Sequence, residues 1–571
     1  MRVCIIGAGV SGLPSIKSCL EEGLEPVCYE RTTEIGGLWN YRPDKESNVG
    51  GMVMKTTVVN TSKEMMAYSD FPPPIEWPNF MHHSFVQEYL LMYAKRFDLL
   101  KHIRFNCEVK TAERNGNGGW LITLRTGEKE IFDAIMLCTG HHSIPSYPQL
   151  RGLDKFKGHT MHAKEYRDFV GFEDKNVFII GIGNSSLDIA VELAKIAKRV
   201  TVSTRRGSWI TNRVAQGGMP IDVVFQSRLY QWLMRTLPWT VANDFMEHRL
   251  QQRIDHDLYG LRPPHRFFQQ HPTVNDALAN LLASGLITIT DDVESFEEKS
   301  VIVKGGKQFP ADIIIFATGY TFSFPYLKPQ SLVPINNHEV DLYKFVFSPK
   351  LEESLAIIGL IQPLGSVSSI SEMQSRWAAG IFSGRFLLPD KNTMMKDIEQ
   401  KRENMHRRYY RSEKHTVQVD YIPYMDELAM LVGCKPPLVD TLLKDPRFAL
   451  RLFVGANAPY VYRLIGPHSW QGARNAIWTM PERVKFPLKN RQCRTRRHKK
   501  RGTLDEYFRY GSMKWIAMYT TIILMAGLWT FCSRPDGVAF VTYFVYVFAF
   551  FFVFSFILLW FDLQYDMSTI F

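Results

Sequence analysis

The chain has 571 residues, 46% of them hydrophobic, and a formal net charge of +11; it can bury the cores of two or three domains, and this excludes a disordered chain. The charge is local, because ten Lys or Arg and no acid stand between Arg483 and Arg501, so the remainder is near neutral and a nucleic-acid-binding surface is excluded. The eight cysteines, Cys4, Cys19, Cys28, Cys107, Cys138, Cys434, Cys493 and Cys532, form no CxxC pair and no metal-ligand spacing, which points to reduced thiols, excludes a redox dithiol and leaves no metal centre.

Met1 runs almost directly into the apolar stretch Arg2–Ile6, which leaves no room for a signal peptide and predicts an N-terminus that folds in the cytosol. That strand leads into Gly7-Ala8-Gly9-Val10-Ser11-Gly12 and then a segment that reads as helix, the context a dinucleotide loop requires. Its glycines permit a tight turn and close backbone approach, and the helix start offers free N–H groups to a pyrophosphate. Glu30 closes the next strand, 26–29, about 20 residues beyond the loop, where a carboxylate accepts the ribose hydroxyls of an adenosine. The first half ends in an apolar run finishing at Cys138-Thr139-Gly140.

The same plan repeats. Asn176–Ile180 runs into Gly181-Ile182-Gly183-Asn184-Ser185-Ser186, and the following strand, Arg199–Ser203, ends in Thr204-Arg205-Arg206 with no carboxylate. A guanidinium fork binds phosphate oxygens bidentately, so this second nucleotide reads as NADPH rather than NADH. Its closing strand ends in Ala317-Thr318-Gly319-Tyr320, the counterpart of the first. Residues 214–295 read as a helix-rich insertion, with Phe225, Leu229, Trp232 and Leu233 at helical spacing, that covers the active site or touches a membrane. Segments 355–360 and 372–382 read as a strand and a helix returning to the first domain. Asn60-Thr61-Ser62 and Asn184-Ser185-Ser186 match the glycosylation sequon, an accidental match inside nucleotide motifs. Residues 515–531 and 538–561 are apolar runs of about 17 and about 24 residues, the second long enough to span a bilayer. The basic cluster before them predicts a body on the cytoplasmic side, leaning on anionic lipid.

Between the loops, Phe156-Lys157-Gly158-His159-Thr160-Met161-His162-Ala163-Lys164-Glu165-Tyr166 matches FxGxxxHxxxY. With Glu34-Ile35-Gly36-Gly37-Leu38-Trp39, Asn60-Thr61-Ser62-Lys63-Glu64-Met65, Gly359-Leu360-Ile361-Gln362-Pro363-Leu364-Gly365 and Gly472-Ala473-Arg474-Asn475, the chain resembles the flavin-containing monooxygenases over nearly its whole length. The insertion and hydrophobic tail make it similar to the vertebrate-type, membrane-anchored microsomal members, the dimethylaniline monooxygenases.

The resemblance implies an α/β fold of two Rossmann-like dinucleotide-binding domains, for FAD and NADP, with a helical insertion and a C-terminal hydrophobic membrane anchor. The expected boundaries are 1–155 and 331–445 for FAD, 156–213 and 296–330 for NADPH, 214–295 for the insertion, 446–510 for a helical region and basic linker, and 511–571 for the anchor. FAD is expected on Gly7, Ala8, Gly9, Val10, Ser11, Gly12, Glu30, Gly37, Leu38, Trp39, Asn60 and Thr61. NADPH is expected on Gly181, Gly183, Asn184, Ser185, Ser186, Leu187, Asp188, Arg205 and Arg206. Asn60 is the expected catalytic residue, lying between flavin and nicotinamide, where an amide donates and accepts hydrogen bonds without titrating. His162 and Tyr166 are expected at the domain interface in a structural role.

The implied reaction is NADPH- and O2-dependent. A flavin C4a-hydroperoxide oxygenates soft nitrogen or sulfur in lipophilic compounds, with Baeyer-Villiger oxidation of ketones or NADPH oxidase activity releasing hydrogen peroxide as alternatives. Expected partners are a small lipophilic amine, thioether or ketone, O2 and membrane lipid, with no nucleic acid and a homo-oligomer left open. The expected location is the endoplasmic reticulum membrane, catalytic domains facing the cytosol. Two departures from the family pattern stand out: Ser186 replaces a third glycine, and Val367-Ser368-Ser369-Ile370-Ser371-Glu372 lacks a common proline.

Overall fold

The computed structural model describes residues 1–43, 50–116, 118–336, 339–410 and 416–489. The chain divides into two units, Met1–Pro487 and Leu488–Phe571, and everything below concerns the first.

Its described residues form an α/β fold with mixed sheets, organised around two five-stranded parallel sheets. The first has the order Leu355–Ile357, Ala134–Leu137, Arg2–Ile6, Glu25–Tyr29, Ile103–Arg104. Val3, Ile5, Ile135 and Met136 are fully buried, as the unbroken apolar runs of a parallel sheet covered on both faces must be. Helix Gly12–Glu21 is the crossover between the first two strands and buries Leu13 and Ile16. Helix Val367–Phe382 lies against it, drawn close by serines: Ser11 Oγ meets Ser371 Oγ at 3.0 Å and Ser15 Oγ meets Ser375 Oγ at 2.9 Å. The late strand and helix therefore do return to the first sheet.

The second sheet has the order Ile287–Thr290, Arg199–Ser203, Asn176–Ile180, Ile313–Phe316, His159–His162. One edge, Ile287–Thr290, falls inside the range read as insertion. The other, His159–His162, comes from the segment before the second loop. Antiparallel sheets flank both cores, Val109–Arg114 with Trp120–Leu124 and Lys129–Phe132 beside the first, and Val293–Glu297 with Ser300–Val303 and Gln308–Pro310 beside the second. The insertion contributes helices Ile221–Phe225, Arg228–Thr236, Trp239–Gln251 and Leu278–Ala283. Leu229 and Leu233 of the apolar stripe are buried, whereas Trp232 is exposed.

The expected membrane anchor is corrected. Among the described residues no helix is long and apolar enough to cross a membrane. The longest, Lys391–Arg408, has 18 residues and is studded with charge, and the apolar Tyr421–Val432 has 12, short of the about 20 a bilayer requires. The same finding corrects the expected endoplasmic reticulum membrane location. The apolar runs at 515–531 and 538–561 lie outside the described residues.

Candidate active site

The first glycine loop is shaped by contacts that no side chain survives. Gly7 has φ +102°, and a Cβ there would sit 2.7 Å from the Cys138 carbonyl oxygen. A Cβ on Gly12 would sit 1.9 Å from the Gly7 carbonyl oxygen, so the helix starts hard against the end of the strand it leaves. Across the crevice, Gly36 N–H donates to Ala8 O at 3.0 Å, and a Cβ on Gly9 would come 3.6 Å from Gly37 Cα. Bare backbone thus lines both walls, with half-buried Leu38 and Trp39 following. Glu30 is buried; its Oε2 accepts Ala8 N–H at 2.8 Å and its Oε1 accepts the N–H and hydroxyl of Thr32 at 2.9 and 2.8 Å. The cradle of glycines, the helix N-terminus and the carboxylate at the strand end fit an FAD.

The second loop repeats this geometry. Gly181 has φ +116°, and its Cβ would sit 2.5 Å from the Ala317 carbonyl oxygen, so the Thr-Gly strand end plays the same steric part in both halves. Gly183 faces open space, with nothing within 4 Å of a Cβ. Where the first loop has Gly12, the second has buried Ser186, whose hydroxyl donates to Gly181 O at 2.5 Å. Leu187 is buried below it and Ser185 is exposed. Asn184 Oδ1 accepts Val274 N–H at 2.8 Å, and Thr273 donates its hydroxyl to Ile182 O at 2.9 Å, so a strand of the insertion splints the loop. Asp188, 3.5 Å from Asn275 Nδ2, has its carboxyl pushed up to about 6 by loss of water, against the pull of Arg213. Arg205 and Arg206 are both exposed at the end of Arg199–Ser203, and Arg206 lies over the Tyr410 ring at 4.5 Å. Exposed guanidinium groups at this strand end, beside an open glycine, fit a phosphorylated dinucleotide.

The Asn60 turn is pinned from two sides. On the first-domain side, Val59 N–H donates to Met81 O at 2.9 Å and Lys63 N–H to Asn79 O at 2.7 Å. On the other side, Arg213, just before the insertion, donates to Val58 O at 3.2 Å, and Ser62 N–H donates to Asp222 Oδ2 of the insertion at 2.6 Å. Thr61 is half-buried, while Asn60 Oδ1 is shielded from water and has no hydrogen-bond partner among the described residues. An acceptor held dry in this way fits a bound group that donates to it.

A run of rings joins the two Thr-Gly strand ends: His141 to His142 at 4.1 Å, His142 to Tyr320 at 5.4 Å, Tyr320 to His162 at 5.3 Å. Desolvation and then its neighbour His142 push His141 down to about 3, so it stays neutral near pH 7, while His142 beside it is exposed. Buried His162 takes Lys164 N–H on Nδ1 at 3.0 Å and faces Gly319 O with Nε2 at 3.1 Å, a pattern that fixes a neutral tautomer. Tyr166 donates to Glu192 at 3.1 Å. These bonds run within 156–213 and 296–330, the ranges expected for NADPH, and do not by themselves reach across to the first domain. Among the described residues no group of His, Cys, Asp or Glu could hold a metal ion.

Arg213, Asp222, Thr273 and Asn275 were not singled out in the sequence. Arg213 stands just before the insertion and the other three within it; all bind backbone or side chains of the turn and the second cradle, and their signal lies in long-range contact rather than in a local motif.

Known proteins resemble the chain in sequence and in fold. A family model described as flavin-binding monooxygenase-like matches residues 1–526. The chain is 47% identical over 501 residues to human flavin-containing monooxygenase 5, covering 86% of this chain and 93% of that protein. It is 43% identical over 501 residues to rabbit dimethylaniline monooxygenase [N-oxide-forming] 2, with the same coverage of 86% and 93%. Among solved structures, S-allyl-L-cysteine S-oxygenase from Allium sativum superposes with a TM-score of 0.58 at 24% identity, covering 78% of this chain and 94% of that one. Cyclohexanone monooxygenase from Rhodococcus sp. Phi1, bound to NADP+, superposes with a TM-score of 0.57 at 16% identity, covering 76% and 97%. These two likenesses speak to the fold.

Proposed function

Since the chain belongs to the flavin-containing monooxygenase family, we propose that its two loops divide the cofactors, FAD on 7–12 and NADPH on 181–186, with Asn60 at the reacting atoms. The protein is an FAD- and NADPH-dependent monooxygenase that uses O2 to oxygenate soft nitrogen and sulfur nucleophiles in lipophilic compounds. When bound, NADPH supplies a hydride and FAD the oxygen-activating chemistry.

The chain's own residues supply position and dryness. Gly7 and Gly12 let the strand ends and the helix start pack against one another, Gly9 and Gly37 leave bare backbone for a pyrophosphate, Ala8, Val10 and Ser11 carry the loop, and Leu38 and Trp39 wall the crevice. Glu30 fixes the loop through Ala8 N–H and offers its remaining lone pair, on Oε2, to a ribose hydroxyl. Gly181, Gly183, Asn184, Ser185, Ser186, Leu187 and Asp188 form the second cradle, and Arg205 and Arg206 take the 2′-phosphate. Asn60 would offer its amide to a bound flavin without gaining or losing a proton, so it would add neither acid nor base beside the oxygen chemistry that FAD supplies. Neutral His141 adds no acid nearby. A soft nucleophile needs no activating base, and none is assembled.

The observation that carries this reading is the pair of loops with matching carbonyl contacts and opposite strand ends, Glu30 after one and Arg205-Arg206 after the other. The test is to give the purified FAD-loaded enzyme NADPH, air and a thiourea, a tertiary amine or an aliphatic ketone. Oxygenated sulfur or nitrogen product matching NADPH consumed is expected. Ester or lactone without either product, or hydrogen peroxide in place of product, overturns it.

A further inference from the structure

Asp222 belongs to the insertion, 160 residues along the chain from the turn it touches. It stands in the first turn of helix Ile221–Phe225. Its Oδ2 accepts Ser62 N–H at 2.6 Å while its Oδ1 accepts the N–H of Val223 at 2.9 Å. On the other flank of Asn60, Arg213 holds Val58 O and is itself held by Asp276 at 2.8 Å. The turn is therefore bracketed by two side chains of opposite charge, Asp222 of the insertion and Arg213 just before it, with the water-shielded Asn60 oxygen in the turn they hold.

A purely structural clamp has no need of a carboxylate here. Among the described residues no Lys, Arg or His pairs with Asp222, and the hydroxyl-bearing ring of Tyr421 is the titratable group near it. Desolvation pushes the Asp222 carboxyl up to about 6, opposed by the hydrogen bonds from Ser62. A neutral acceptor would serve the same N–H at less cost. What the carboxylate adds is a shorter, stronger bond to a single amide two residues from Asn60.

We propose that Asp222 is a positioning residue for oxygen transfer: by holding Ser62 N–H from the insertion, it sets the direction in which the Asn60 amide is presented to the flavin. The assignment rests on the reading of Asn60 above. It makes the insertion part of the machinery that keeps oxygen chemistry coupled to substrate, rather than a cover alone.

Asp222→Ala, Asp222→Asn and Asn60→Ala in the full chain test it, read by the fraction of NADPH electrons lost to hydrogen peroxide, by FAD content and by hydrogen exchange in the peptide covering 58–66. Asp222→Ala is expected to raise the peroxide fraction several-fold with FAD content unchanged, and Asp222→Asn, which keeps an acceptor but loses the charge, to restore the coupling in part. An unchanged peroxide fraction in Asp222→Ala, a loss of activity that merely follows lost FAD, or no rescue by asparagine overturns the proposal. If Asn60→Ala stays coupled, the Asn60 reading itself fails, a result distinct from failure at Asp222. Should Asp222→Ala not fold, exchange in Asp222→Asn decides: loss of the charge weakens the bond, so the 58–66 peptide exchanges faster, and unchanged exchange overturns the proposal.

Discussion

Ser186 donates its hydroxyl to the carbonyl of Gly181 at 2.5 Å, replacing with a hydrogen bond the bare contact that Gly12 makes with Gly7 in the other loop. The missing third glycine is thus compensated by chemistry. Ser186→Ala keeps the Cβ and removes the bond, at about 1 kcal/mol. The KM for NADPH is expected to rise about fivefold by that energy, with FAD content unchanged. Flavin loss, or no change in KM, contradicts this use of the serine.

Glycines that look alike in the motif are expected to fail differently. A Cβ on Gly12 would overlap the Gly7 carbonyl, whereas one on Gly183 meets nothing. Gly12→Ala must displace the first helix and should yield protein that retains little FAD. Gly183→Ala should purify yellow with an ordinary melting temperature, yet bind NADPH weakly, because its methyl fills space only a nucleotide needs. Absorbance of bound flavin and NADPH titration separate the two.

Arg205 and Arg206 are expected to set the coenzyme choice. Replacing both with Ala removes the phosphate-binding fork. The ratio of kcat/KM for NADPH over NADH should fall at least about tenfold, which corresponds to about 1.4 kcal/mol. Arg206 also loses its place over Tyr410, so the single variants should be unequal. Initial rates with the two coenzymes give the answer, and an unchanged ratio rejects the role.

Asp188 gives a pH prediction. Its folded carboxyl titrates at about 6 against an ordinary 3.8. Between those values the native chain binds the proton that the unfolded chain has released, so this group's effect on stability is most favourable below about 3.8 and declines as pH rises through about 6. Asp188→Asn removes that burden. Its melting temperature should match wild type near pH 4 and exceed it by about 2 °C at pH 7.5, read by thermal melts at the two pH values. A gap that does not widen with pH contradicts the raised carboxyl.

Much of this was legible because it is written locally. Gly7, Gly12 and Gly181 announce themselves through spacing after apolar strands, and Glu30 and Arg205 through their place at strand ends. Strand Leu355–Ile357 and helix Val367–Phe382 could be placed in the first domain from their pattern. The insertion and the residue just before it were different. Asp222, Arg213 and Thr273 act on backbone atoms of Ser62, Val58 and Ile182, and a bond to backbone leaves no mark on the residue that receives it. Ile287–Thr290 was hidden for a related reason: four residues, ITIT, alternate like many solvent-facing strands, and their pairing with Arg199–Ser203 supplies the missing information. The membrane reading relied on residues beyond those described, and the described helices gave it no support.

The outer strand His159–His162 pairs with Ile313–Phe316 along its whole length, although it precedes the second glycine loop in the chain. Excising the nucleotide module at Asn176, the natural cut from the motif, would strip that strand and expose the backbone of Ile313–Phe316. A bared apolar edge recruits other chains, so such a fragment would aggregate for want of a border. A separable module must begin before Phe156, and any fusion or permutation of this protein has to carry that border along.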